Sequence, residues 1–332
     1  MTVPDEPFVS VVTPFYDTAD YLRQCIESVL AQSHRNFEYV LMDNQSKDGS
    51  TEIAKEYASR DQRIRYVRTD RFLSQIQNYN HTLAQISPKA RYCKIVQADD
   101  WIFRDCLTQM VEAAERHPSA GIVSSMLLAE KDVWGTGLSA SPDGTTFMTG
   151  REAARMHLMN PIFLFGSPTT VFYRADVVRG RTPFFEEGLF HPDTEANYQI
   201  LKDHDFVFLH QILSFMRQQE GSITHNARHL NKAALDSMIV TKRYGRYFLS
   251  PEEYEARCED IGKWYYDGLA REWIRSGFRF KDDEFWERQR RGLSGVGEKI
   301  RVARLANGVA QLLLKGLSYP MRGARKVLSR DG

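Results

Sequence analysis

Tyr92-Cys93-Lys94-Ile95-Val96-Gln97-Ala98-Asp99-Asp100-Trp101 drives an apolar strand into two adjacent carboxylates. Adjacent acids repel unless a cation sits between them and a ligand. A strand end that delivers carboxylates to the crevice of an open sheet suits Mg²⁺ or Mn²⁺ held against a diphosphate, because hard cations take oxygen ligands and bridge carboxylates to substrate phosphates. The same pair also suits the first turn of a following helix, where negative charge is favourable without any ligand.

Outward from this stretch the chain alternates strands and helices, which predicts a mostly parallel sheet covered on both faces. Phe8 to Thr13 reads as the first strand, ended by Pro14. Leu22, Cys25, Ile26, Val29 and Leu30 then fall on one face of a helix capped by Asp17 or Thr18. Further strands are expected at Phe37 to Met42, Ile64 to Val67, Tyr92 to Val96 and Gly121 to Leu128. Asp43 and Asp99 both stand where strands run out, the edge at which open α/β sheets bind ligands. Val133 to Gly150 reads as a loop or short hairpin, and beyond Ala227 the chain becomes helical and highly charged, with Trp264, Trp273 and Trp286 among its charges.

The 332 residues carry 44 Lys and Arg against 43 Asp and Glu, so no global charge pulls the chain toward nucleic acid. Cys25, Cys93, Cys106 and Cys258 lack zinc-like spacing and read as buried thiols of a reducing compartment. His191, His204, His210, His225 and His229 are too irregularly placed for a metal cluster. No run approaches the roughly 18 apolar residues of a membrane span, and the first residues do not read as a signal peptide, so a cytosolic location is expected.

The turn after the first strand, Thr13-Pro14-Phe15-Tyr16-Asp17, has no glycine, which argues against a dehydrogenase-type dinucleotide site or a nucleotidyltransferase phosphate loop. Phe15 and Tyr16 could stack on a base or simply pack. Val9 to Asp17, Tyr21-Leu22 through Ser33, and Phe37 to Thr51 resemble, in order and spacing, the first hundred residues of the family 2 glycosyltransferases. The likeness is strong to about Ser125, weaker to about Thr224 and absent beyond.

The resemblance implies a GT-A fold over residues 1–226, with a nucleotide-sugar-binding half (1–125) and an acceptor half (126–226), followed by a helical region (227–332). It implies that Thr13, Pro14, Tyr16, Asp17 and Asp43 line the base and ribose pocket, with Asp43 accepting a base N–H; Asp43 also reads as a turn-forming residue. Ser74 to Asn78 would run beside the nucleotide, with Gln77-Asn78 where the family has Arg-Asn. Gln97-Ala98-Asp99-Asp100 matches the family's Asp-x-Asp-Asp, the first acid replaced by Gln97, which leaves Asp99 as the metal ligand and Asp100 as its support or a helix cap.

By the same resemblance Asp193 is the catalytic base and Glu195 the substitute candidate, either of which could equally cap a helix. Gly166 and Ser167 form the floor under the donor sugar, and Arg217, or His225, reaches the diphosphate. The implied activity is metal-dependent, inverting, hexosyltransferase-like transfer. A sugar moves from a nucleotide diphosphate donor, a UDP-sugar favoured, to a saccharide or lipid-linked saccharide in bacterial surface polysaccharide synthesis. The alternative is a catalytically idle sugar-nucleotide-binding partner subunit.

Val302, Leu305, Val309, Leu312, Leu313 and Leu317 fall on one helical face flanked by Arg301, Arg304 and Lys315, with Lys299 before them and Arg322, Arg325, Lys326 and Arg330 after Pro320. Such a basic amphipathic helix can lie among anionic headgroups at the cytoplasmic face of the inner membrane. The other expectation is a helix docked on the protein or in a homodimer contact.

Overall fold

The structure, a computed structural model, describes residues 6–130, 132–135, 138, 144–160, 162–217, 231–280 and 284–318. The chain forms two compact units, Met1–Ser222 and Ile223–Gly332.

The first unit opens with β1 (Val9–Phe15), α1 (Ala19–Leu30), β2 (Phe37–Asp43), α2 (Ser50–Arg60), β3 (Ile64–Arg68), α3 (Gln75–Leu83) and β4 (Tyr92–Ile95). Every residue of β1 is buried, as expected for a strand with neighbours on both edges and helices on both faces. The strands pair in parallel in the order β3-β2-β1-β4. Strand order therefore reverses at β1: β2 and β3 build outward on one side and β4 lies on the other. That reversal opens a crevice beyond the carboxyl ends of β1 and β4.

Next come β5 (Trp101–Ile102), α4 (Cys106–Arg116), β6 (Ala120–Ala129), β7 (Asp132–Trp134), β8 (Thr145–Met148), α5 (Gly150–Met159), β9 (Phe172–Arg174), α6 (Ala175–Arg179), α7 (Pro192–Ile200) and β10 (Asp205–Met216). Here the sheet is mixed: β9 runs antiparallel between β4 and β6, while β10 pairs in parallel with β6 and antiparallel with β5 and β8. β7 pairs with β6, so the 133–150 stretch holds two edge strands bound to different partners rather than a hairpin.

Pro14 does not end the first strand. It lies within β1 opposite Met42. The Val12 carbonyl faces β4, where it accepts from Val96 N–H at 3.0 Å, so the Pro14 nitrogen two residues on faces the same side. Pairing with β4 has stopped at Ile95, and the missing donor costs no ladder bond.

The second unit contains α8 (Lys232–Phe248), α9 (Pro251–Arg275), α10 (Glu284–Ser294) and α11 (Val302–Ser318). Ser250 and Glu253 form a capping box at the start of α9, with Pro251 in the first turn where its missing N–H is harmless. Trp286, Tyr265, Leu269 and Phe248 are core residues. The apolar face of α11 buries Leu305 and Val309, and Gly308 lies close against Ala270 and Tyr266 of α9. Of the face expected to meet headgroups, Leu305 and Val309 are docked on the protein, while Val302 and Leu313 stay exposed. The Lys315 side chain and Arg322, Arg325, Lys326 and Arg330 lie outside the described residues. Cys25, Cys93 and Cys106 are buried free thiols, and Cys258 is half-buried. No described helix is long and apolar enough to cross a membrane.

Candidate active site

The crevice at the β1/β4 reversal is walled by two loops that brace each other. Asp17, in the left-handed region at φ 48°, accepts from Lys47 N–H at 2.7 Å and donates its own N–H to Ser46 Oγ at 3.1 Å. Ser50 Oγ accepts from Thr18 N–H, and Asp48 accepts from Ala19 N–H, so the turns after β1 and β2 form one latticework. Tyr16 is exposed with its ring edge against Phe72, centroids 4.9 Å apart, whereas Phe15 is core. Pro14 is buried. Thr13, expected in the pocket, is fully buried and commits its hydroxyl to the Val96 carbonyl at 2.8 Å and the Tyr39 hydroxyl at 2.9 Å, tying β1 to β4.

Asp43 ends β2 with no exposed surface. Its Oδ1 accepts from Ser46 N–H at 2.8 Å, and its Oδ2 accepts from the hydroxyls of Thr51 at 2.6 Å and Tyr66 at 2.8 Å. Burial pushes the carboxyl up, but the bonds from Thr51, Ser46 and Tyr66 outweigh it and hold it below the ordinary range.

Asp43→Ala would strand three inward-pointing donors and is expected to cost about 3 kcal/mol by urea unfolding at pH 7. A lowered folded pKa means this contribution is present above the unfolded value, about 4, and is lost as pH falls through the folded one. The wild-type and variant stabilities should therefore converge in acid.

On the other wall, the Gln97 N–H donates to Thr169 Oγ1 at 3.1 Å, and Ala98 is buried. Asp100 is buried: its Oδ2 accepts from the Thr169 hydroxyl at 2.5 Å and its Oδ1 from Arg217 N–H at 3.0 Å. Burial and the neighbouring Asp99 raise its pKa to about 7. Asp99 is also raised, by burial, and Arg217 draws it back. Two desolvated carboxylates side by side form a site that a cation would relieve.

Among the described residues no group of three or more His, Cys, Asp and Glu could hold a metal. A cation at Asp99 would therefore complete its coordination with substrate and water oxygens, the usual arrangement for Mg²⁺. Arg217 stands at the same end: its Nε donates to the Asp99 carbonyl at 3.2 Å and its Nη2 to Gln24 at 3.0 Å, while its guanidinium lies 4.5 Å from the Tyr21 ring centroid. His225 lies outside the described residues.

Gly166 has φ +73°, and a Cβ there would sit 1.9 Å from Thr170 Oγ1, so both backbone and space require glycine. Ser167 Oγ and Asn78 Oδ1 are buried without hydrogen-bond partners among the described residues. Lys94 is buried under the 169–171 segment and donates to the carbonyls of Thr169 and Val171. It thereby fixes the turn that brings Thr169 to Asp100.

Asp193 lies in the first turn of α7. Burial raises the pKa of the Tyr79 hydroxyl, and the charges of Asp99, Asp100 and Asp193 add to the rise. Tyr173, whose hydroxyl donates to Asn197 at 3.0 Å, is raised by burial and then by Asp193. Glu195 is placed differently: buried, it pairs with Arg181 at 2.6 Å, the geometry of a structural ion pair.

Sequence reasoning missed the brace in front of α7. Asn80 donates to the Phe185 carbonyl and accepts its N–H, both at 2.8 Å, and Gln77 donates to Glu187 at 3.0 Å. Gln77 also closes a capping box with Ser74, so the residue that stands where the family has Arg is a helix cap. The Ser-x-x-Gln spacing could have shown the cap; no sequence signal points to Asn80.

Comparison with known proteins matches residues 10–181 to the family model described as glycosyl transferase family 2. The glycosyltransferase GlyA of Streptococcus pneumoniae is 36% identical over 98 residues, 29% of this chain and 14% of GlyA. Bacillus subtilis EpsJ is 26% identical over 260 residues, covering 72% of this chain and 71% of EpsJ. B. subtilis TuaG, named for teichuronic acid biosynthesis, is 33% identical over 107 residues, 32% of this chain and 42% of TuaG. The chain thus spans a minor part of GlyA and TuaG.

Among solved structures, S. aureus TarS 1-349 in complex with UDP-GlcNAc superposes with a TM-score of 0.59 at 13% identity, over 93% of this chain and 92% of that one. The mannosyltransferase PcManGT from Pyrobaculum calidifontis, in complex with GDP-Man and Mn²⁺, gives 0.55 at 16% identity over 94% and 82%. These likenesses show the fold.

Proposed function

The chain belongs to glycosyl transferase family 2, and from that premise we propose that it transfers a sugar, with inversion, from a nucleotide diphosphate donor to a hydroxyl of a saccharide or lipid-linked saccharide. A UDP-sugar is the favoured donor, since the TarS complex holds UDP-GlcNAc. Bacterial surface polysaccharide assembly is the favoured setting, given the likeness to TuaG. The observation that carries the reading is the Asp99-Asp100 pair just past the end of β4, with Thr169 and Arg217 bonded to Asp100, beside the strand-order reversal.

In this reading the nucleoside lies against Tyr16 and the braced loops after β1 and β2, with a base N–H donating to Asp43. Asp193 takes the proton of the acceptor hydroxyl as its oxygen bonds to the anomeric carbon; the bond from that carbon to the diphosphate oxygen breaks, and the diphosphate leaves with the electron pair. Mn²⁺ or Mg²⁺ held by Asp99 would supply charge neutralisation to the diphosphate. Arg217, fixed by Asp99, Gln24 and Tyr21, adds a second cation at that end. Membrane contact by the tail would rest on Val302 and Leu313, the exposed residues of the α11 face.

Release of UDP from UDP-sugars in the presence of saccharide acceptors tests the proposal. Turnover separates it from a subunit that binds sugar nucleotides without catalysis. Asn80 is then a positioning residue: Asn80→Ala should lower kcat about tenfold while leaving the donor KM near the wild-type value, because it frees the Phe185 backbone ahead of α7 without touching the nucleotide loops.

A further inference from the structure

The second unit holds a cavity of about 500 Å³ lined from α8, α9 and residues 293–304, within the range of about 300–1,000 Å³ typical of small-molecule sites. Tyr265 forms part of its wall. That residue is fully buried, yet its hydroxyl has no hydrogen-bond partner among the described residues. Buried tyrosine hydroxyls nearly always find one, so the cavity is where a partner is to be sought.

The lining charges narrow its chemistry. Glu298 accepts from Lys242 at 2.8 Å and from Arg301 at 3.1 Å, and Arg304 lies 6.0 Å from the Tyr266 ring centroid. Glu255, Glu259 and Glu298 would repel a nucleoside diphosphate, and the neighbouring Lys and Arg side chains would repel a metal ion. Acceptors and donors in near balance beside aromatic rings suit a neutral polyol, whose hydroxyls each donate and accept while its C–H faces pack on the rings.

We propose that this cavity is a saccharide-binding site belonging to the helical unit. The inference stands apart from the transfer reading, although a saccharide is also the class of molecule that reading builds upon.

The test uses the full chain and saturation-transfer NMR titrations with glucose, galactose, mannose, N-acetylglucosamine and their β-linked disaccharides. At least one should bind, with affinity falling about tenfold in Tyr265→Phe and in Arg304→Ala, and unchanged in Asp193→Asn. Tyr265→Phe removes only an unpaired hydroxyl, and Arg304 is exposed, so both variants should keep the wild-type Tm. No binding by any of these sugars up to about 10 mM, or binding indifferent to both cavity variants, would overturn the proposal. Binding lost in Asp193→Asn alone would assign the saccharide to the transfer site and overturn it equally. Failed turnover with Tyr265-dependent binding intact would leave this site standing and remove only the transfer reading.

Discussion

Asp193→Asn is expected to lower kcat about a thousandfold while donor affinity stays near wild type, because a general base contributes roughly 10²–10⁴ to such a step. The substitution keeps the shape of the side chain and removes its negative charge. Glu195→Gln provides the contrast. It breaks the 2.6 Å pair with Arg181 and should cost about 2 kcal/mol, less than a fully buried pair because Arg181 is partly exposed, with turnover per folded molecule retained. Kinetics and urea unfolding on both variants separate base from ion pair. If Asp193→Asn turns over normally, the base lies elsewhere.

Asp99→Ala carries the other large effect. UDP affinity measured by calorimetry with Mn²⁺ should fall about a hundredfold, and the difference between titrations with and without Mn²⁺ should vanish. Removing one of two buried, mutually repelling acids should also leave the metal-free protein at least as stable as wild type, since Asp100 is raised to about 7 partly by Asp99. If the wild type binds UDP equally with and without metal, the ligand role of Asp99 fails.

Local pattern made the first half of the sheet readable. The β-branched run of β1, the 3.6-residue spacing on α1 and the acids at two strand ends lie within short windows, and they sufficed to place Asp43 at the end of β2 and Asp99 just past the end of β4. Pro14 was misread because its harmlessness depends on where a neighbouring strand stops, which one strand's sequence cannot state.

The partners that decide what each acid does are remote. Thr169 reaches Asp100 from 69 residues away, Arg217 from 117, and Asn80 clasps Phe185 across 105. Arg181, which claims Glu195, has no distinguishing local context. The α11 face was readable as amphipathic, but the hydrophobic effect is non-directional, and the same stripe serves a bilayer or a neighbouring helix. Only the packing shows that Leu305 and Val309 meet a neighbouring helix.

The most direct test is a crystal structure of the protein soaked with UDP and Mn²⁺. Uridine is expected against Tyr16 and the loops after β1 and β2, with the diphosphate joined through the ion to Asp99. A crevice without nucleotide, or a diphosphate bound away from an inward-turned Asp99, would contradict it.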